Sequence, residues 1–122
     1  MAKIVAVDDE SMTLDLITAC LDRHEVTTAS GVDEGLAAVK AARPDLVIVD
    51  YHMPGKDGTE LVRDIRADAI LKGTRIMMLT GDSRMQKVEE SFGLGADDYL
   101  VKPFSSAVLR ARVDALLAKP RA

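Results

Sequence analysis

Four short apolar runs each end at a residue able to do polar chemistry: Lys3–Val7 at Asp8-Asp9, Leu46–Val49 at Asp50, Ile76–Leu79 at Thr80, and the Asp98–Val101 run at Lys102. Carboxylates brought together raise one another's pKa unless a cation neutralises them. Mg²⁺, or Mn²⁺ in its place, suits such a set, because it prefers oxygen ligands and needs few carboxylates beside water and phosphate. With the metal present, an ionised Asp50 is a nucleophile for phosphorus. The charge on the transferring group's equatorial oxygens is then met by the metal, the Lys102 ammonium and the Thr80 hydroxyl. Gly81 leaves the approach open. Taken singly, each residue also has a plainer reading: Asp8-Asp9 as a helix cap, Thr80 as a strand-end hydroxyl, Lys102 as a solvated lysine, Asp50 as a turn former. Their joint arrival at one sheet edge is what marks a site.

That arrival depends on the elements between them. Leu46-Val47-Ile48-Val49 shows no alternation, the pattern of a strand buried on both faces of a parallel sheet. The Pro54-Gly55 and Asp57-Gly58 pairs prevent its continuation, so Asp50 stands at a carboxyl-terminal strand end, the edge where open parallel sheets bind ligands. Lys3–Val7, Arg75–Thr80 and Asp98–Val101 read as further strands, and the mixed Glu25–Ala29 as an edge strand. Between them the spacing predicts helices. The first has a stripe of Thr13, Leu16, Ile17, Cys20 and Leu21, with Met12 and Leu14 on its flanks. The second starts near Val32 and contains Leu36, Val39 and Lys40. The third carries Leu61, Val62, Ile65 and Ala69 and closes at Gly73. The fourth, from Ser83 to Leu94, has only Met85, Val88 and Phe92 as a stripe, so it should be loosely held. The last carries Leu109, Val113, Leu116 and Leu117. Five strands alternating with five helices predict one doubly wound α/β domain over residues 1–122 with a parallel sheet.

Composition narrows the function. The 122 residues carry a net charge of -4, and only 3% are aromatic, with no Trp. That argues against a nucleic-acid or anionic-membrane surface and against base stacking. Cys20 is the single cysteine, which excludes an intrachain disulfide and points to a reducing, cytoplasmic setting. No apolar run is long enough to span a bilayer.

Val7-Asp8-Asp9, Val49-Asp50 with Met53-Pro54 and Asp57-Gly58, Leu79-Thr80-Gly81, and Gly95-Ala96-Asp97-Asp98-Tyr99-Leu100-Val101-Lys102-Pro103-Phe104 together resemble the receiver domain of two-component response regulators, over essentially the whole chain. The resemblance implies a flavodoxin-like (βα)5 fold with strand order 2-1-3-4-5. It implies that Asp50 accepts a phosphoryl group from a histidine kinase or a histidine phosphotransfer protein. Asp9 would bind Mg²⁺ directly, Asp8 largely through water, and the His52 backbone carbonyl would be a further ligand. Thr80 and Tyr99 match the family's switch pair, and Lys102-Pro103 its cis peptide bond. The chain would then be no enzyme beyond catalysing its own phosphorylation and dephosphorylation. Its output protein is unidentified. A stand-alone receiver is expected, and the alternative is an amino-terminal receiver excised from a DNA-binding regulator. Asp97, Asp98, Arg112 and Lys119 resemble a charged dimer face, with Asp97 and Arg112 pairing across a two-fold axis around Val88 and Val108 in a phosphorylation-favoured homodimer. The side chains of His52 and Asp82, each two residues beyond a phosphoryl-contacting group, border the path of hydrolytic water, His52 as a partial lid or as a base. A haloacid-dehalogenase-like phosphatase would want a second Asp where His52 stands. A flavin or nucleotide carrier would want a Gly-rich loop where Asp8-Asp9-Glu10 stands.

Overall fold

The computed structural model describes residues 1–81 and 85–120. Five strands, β1 (Lys3–Val7), β2 (Glu25–Ala29), β3 (Leu46–Asp50), β4 (Arg75–Thr80) and β5 (Asp98–Val101), alternate with α1 (Ser11–Cys20), α2 (Val32–Ala42), α3 (Gly58–Ala67), α4 (Met85–Leu94) and α5 (Ser106–Ala118). All pairings are parallel and the order is β2-β1-β3-β4-β5. Every residue of the central β3 is buried, whereas β2 at the edge buries only Ala29 fully. Among the described residues no helix is long and apolar enough to cross a membrane.

Successive strand side chains point to opposite faces, which splits the core in two. Val5, Val7, Val47, Val49, Ile76 and Met78 pack against Val32, Val39, Leu61, Val62 and Ile65 of α2 and α3. Ile4, Ala6, Leu46, Ile48, Met77 and Leu79 meet Leu14, Ile17 and Cys20 of α1 and Leu109, Val113 and Leu116 of α5. Each fully buried aliphatic side chain contributes about 1.5–3 kcal/mol relative to exposure.

Three helices differ from the sequence expectation. In α1 it is Leu14 that is buried with Ile17, Cys20 and Leu21, while Leu16 is 40% exposed. Either leucine continues a helical stripe through Ile17 and Cys20, but they lie two residues apart and so on different faces. Packing against α5 selects Leu14. Helix α3 ends at Ala67, short of Ala69 and Gly73, because the Asp68 carboxylate accepts the Ile70 and Leu71 amides and turns the chain out. Leu71, 3% exposed, then fills the core position. In α4, Phe92 is 45% exposed and packs edge-on against Tyr99, with ring centroids 5.9 Å apart, so it is not part of a buried stripe. Val88 is half-buried, Ser83 lies outside the described residues, and so does the side chain of Met85.

Candidate functional site

Strand register assembles the site. Val7 is level with Val49, Asp50 with Leu79, and Thr80 with Val101. Asp8, Asp50, Thr80 and Lys102 therefore emerge side by side at the carboxyl end of the sheet. The backbone fixes each stem. The Asp8 amide donates to Ala29 O at 3.1 Å, the Tyr51 amide to Leu79 O at 2.7 Å, and the Lys102 amide to Thr80 O at 2.7 Å. Behind Asp50 the chain doubles back: the Gly58 amide donates to Tyr51 O at 2.9 Å, and a Cβ on Gly58 would stand 2.0 Å from the Asp50 carbonyl oxygen. Only glycine lets α3 begin that close. Asp57 caps the helix, accepting from the Thr59 amide and hydroxyl.

Asp8 is fully buried, Asp50 is 5% exposed and Asp9 is exposed, and one carboxylate oxygen from each lies within 4.8 Å of the other two. The Lys102 ammonium reaches Asp8 Oδ2 at 2.8 Å, Glu10 Oε1 at 3.2 Å and Asp50 Oδ2 at 3.4 Å. One cation thus serves three carboxylates, with Asp9 added. Burial first, then the charge of Asp8, push the Asp50 carboxyl up from 3.8 to about 7, against the pull of Lys102. Burial pulls Lys102 down, but its bond to Asp8 and the charges of Asp50 and Asp8 outweigh that and leave it above its ordinary value.

A carboxyl that titrates near neutrality is half protonated there and a poor nucleophile until a second cation relieves it. The donor set fits a hard divalent ion: oxygen ligands only, an excess of negative charge, and an exposed Asp9 side from which water could complete a shell. Thr80 is 3% exposed at the neighbouring strand end. A Cβ on Gly81 would meet no atom within 4 Å, so the approach is open on that side. His52, the second residue past β3, has an exposed side chain, its ring centroid 4.6 Å from that of Tyr51. Lys102-Pro103 is cis. Asp82 lies outside the described residues.

The charged groups expected on a dimer face are engaged within the chain. Asp97 Oδ2 accepts the Ile76 amide at 2.8 Å and Arg66 at 3.1 Å, while Arg112 bonds Asp98 at 2.9 Å. Neither residue of the expected Asp97–Arg112 pair is therefore held in reserve. Tyr99 is half-buried between Phe92 and the core.

Sequence reading missed Glu10 as a Lys102 partner, the bond from the Tyr51 hydroxyl to Glu90 on α4, and Arg66, described below. For Glu10 the signal was present, a third carboxylate directly after Asp8-Asp9. For the others no local pattern existed.

The response regulator receiver domain family matches residues 4–114. Over 119 residues the chain is 40% identical to the transcriptional regulatory protein ResD of Bacillus subtilis, covering 96% of this chain and 48% of that protein. It is 31% identical over 120 residues to the chemotaxis protein CheY-3 of Vibrio cholerae, covering 96% and 92%. The solved structure of chemotaxis response regulator CheY4 of Vibrio cholerae superposes with a TM-score of 0.90 at 36% identity, covering 95% of this chain and 98% of that one. The chain spans about half the length of ResD and nearly all of the CheY relatives. Strand order, acidic edge and these likenesses agree: the chain belongs to the response regulator receiver domain family, with the flavodoxin-like CheY fold.

Proposed function

We propose that the chain accepts a phosphoryl group on Asp50 from a phosphohistidine of a cytoplasmic histidine kinase or phosphotransfer protein. The observation that carries this is the placement of Asp50, buried beside two further carboxylates and 3.4 Å from Lys102. An Asp50 carboxylate oxygen forms the new bond to phosphorus as the donor's N–P bond breaks, and the electron pair leaves on the imidazole. The Lys102 ammonium and Thr80 hydroxyl meet the charge on the equatorial oxygens. Asp9, Asp8 through water, Asp50 and the His52 carbonyl would hold Mg²⁺, which supplies charge neutralisation to both the nucleophile and the phosphoryl group. The chain catalyses its own modification and later hydrolysis and has no other substrate.

With Mg²⁺ and acetyl phosphate, an acid-stable, base-labile adduct forms on Asp50. It is lost in Asp50→Asn and with chelator. An undiminished adduct in Asp50→Asn sinks the assignment.

The signal would leave through Thr80 and Tyr99 to the face made by α4, β5 and α5. The support is the exposed Phe92 on Tyr99 and, among the described side chains of α4, the half-buried Val88 and Leu94 with only Ser91 fully buried. Beryllofluoride, a phosphoryl mimic, should alter hydrogen exchange there more than along Val32–Ala42. As to output, relatives of twice this length, a transcriptional regulatory protein and a DNA-binding response regulator among them, favour a receiver joined to a DNA-binding unit, and CheY relatives of similar length favour a stand-alone receiver. A beryllofluoride-dependent dimer in sedimentation supports the first, its Val88 and Val108 contact carrying more than the already paired Asp97 and Arg112. A strict monomer supports the second. His52, with Asp82, is proposed to shield the phosphoryl group from in-line water, so His52→Ala should shorten the adduct's life.

A further inference from the structure

Glu10 is the N-cap residue of α1, yet its side chain makes no capping hydrogen bond. Glutamate is not among the residues that cap well. Its side chain is used elsewhere, in a closed ring of three residues. The Glu10 amide donates to Asp8 Oδ1 at 2.9 Å, Lys102 Nζ donates to Asp8 Oδ2 at 2.8 Å, and the same nitrogen lies 3.2 Å from Glu10 Oε1. An ammonium has three protons to donate. Two are directed to the β1 side of the site, while Asp50 stands at 3.4 Å, beyond ordinary hydrogen-bond length.

We propose that Glu10 is a positioning residue that holds the Lys102 ammonium on the β1 side of the site, away from Asp50, in the unphosphorylated chain. The inference rests on the phosphoacceptor reading of Asp50. As phosphorus approaches Asp50, Lys102 swings toward the equatorial oxygens. Asp8 lies next to Asp50 and remains within its reach. Glu10, fixed at the start of α1, does not follow, so its contact is made in the ground state and given up in the transition state. Such a contact slows the chemical step. Glu10 thereby sets how readily the receiver is labelled, with no contact to donor or phosphoryl group.

The test measures the saturating rate and KM for Asp50 labelling by acetyl phosphate and Mg²⁺, a reaction in which the donor's P–O bond breaks and acetate leaves. Glu10→Gln should raise the saturating rate roughly three- to tenfold with little change in KM, the scale of one half-exposed ion pair. Glu10→Asp keeps the charge but is one methylene short of Lys102, and should be accelerated likewise. In a Lys102→Met background, Glu10→Gln should change nothing. A crystal structure of metal-free Glu10→Gln should show Lys102 Nζ at hydrogen-bond distance from Asp50. The proposal is overturned if Glu10→Asp behaves as wild type while Glu10→Gln alters only KM, which would mean simple repulsion of the anionic donor. It is also overturned if the acceleration persists without Lys102, or if Lys102 does not move. Failure of the wild type to label Asp50 would instead fail the phosphoacceptor reading.

Discussion

At the amino end of the sheet one guanidinium is surrounded by acceptors, while at the carboxyl end one ammonium is divided among carboxylates. Arg66, near the end of α3, donates to Gly95 O at 2.7 and 2.9 Å, to Lys72 O at 2.8 Å, to Thr74 O at 2.6 Å and to Asp97 Oδ2 at 3.1 Å. Asp97 in turn takes the first amide of the β4 core, Ile76. Gly95, at φ +111°, a conformation L side chains rarely adopt, lies against the Arg66 side chain, where a Cβ would stand 3.0 Å from Cγ and Nε. The planar fork thus joins α3, the 68–74 turn, β4 and the α4–β5 loop. Lys102, by contrast, leaves Asp50 with a carboxyl pushed up to about 7. Satisfied charge holds one end together. Undersatisfied charge keeps the other ready for a cation and a phosphoryl group.

The comparison is broken most severely at Arg66. Arg66→Ala strands three carbonyls and leaves Asp97 with the Ile76 amide alone, costing roughly 2–4 kcal/mol and lowering Tm by roughly 10 °C. Arg66→Lys should recover little, since a lysine cannot reproduce the fork. Labelling of Asp50 well below the melting point should be unchanged in either variant. Loss of labelling with the fold intact would show that the two ends are not independent.

Asp50→Asn tests the opposite end, with the opposite sign. A carboxyl that titrates at 3.8 ordinarily and about 7 when folded binds its proton more tightly in the folded chain. The stability this lends is complete below about pH 4 and is lost as pH rises through 7. Metal-free wild type should therefore lose stability across that window, while Asp50→Asn holds level and melts several degrees higher at about pH 8. Identical pH profiles for the two proteins would remove the claim of charge strain.

Mg²⁺ should relieve the same strain without mutation. At ten times its dissociation constant, binding to the folded chain alone contributes about 1.4 kcal/mol, read as a rise in Tm at pH 8 that shrinks at pH 5, where Asp50 is protonated. A metal effect equal at both values would place the ion elsewhere.

The smallest effect is expected at the junction of the two regions. The buried Tyr51 bonds Glu90 on α4 through its hydroxyl, and burial first, then that bond, push the phenol up to about 12. Tyr51→Phe should cost less than about 1 kcal/mol overall, with faster hydrogen exchange confined to α4. Exchange accelerated throughout the sheet would mean that α4 is no separate unit.

Four of the five strands were legible in the sequence as local apolar runs with a polar stop, and the stops are the residues gathered at the carboxyl edge; β2, mixed and mostly exposed, was legible only as an edge strand. Asp8, Asp9, Asp50 and Lys102 gather as read, since parallel strands of similar length end level. The stripe of α1 was not legible: Leu14 and Leu16 fit the helical period equally, and only α5 decides between them. The end of α3 was hidden in the side chain of Asp68. Arg66 was invisible for a deeper reason, as most of its acceptors are backbone carbonyls, which any sequence supplies. Gly58 looked like one more turn residue because its neighbour in space is a carbonyl eight positions earlier.

The chain contains two tyrosines and no tryptophan. Tyr51 adjoins Asp50 and donates its hydroxyl hydrogen bond to Glu90, while Tyr99 lies against Phe92 on the face proposed to carry output. Ultraviolet emission of the unlabelled protein therefore comes from two places only, one beside the chemistry and one beside its readout. A phenol bonded to a carboxylate emits weakly, so release of Glu90 would brighten Tyr51. With Tyr99→Phe as a single-fluorophore form, the receiver becomes its own optical indicator.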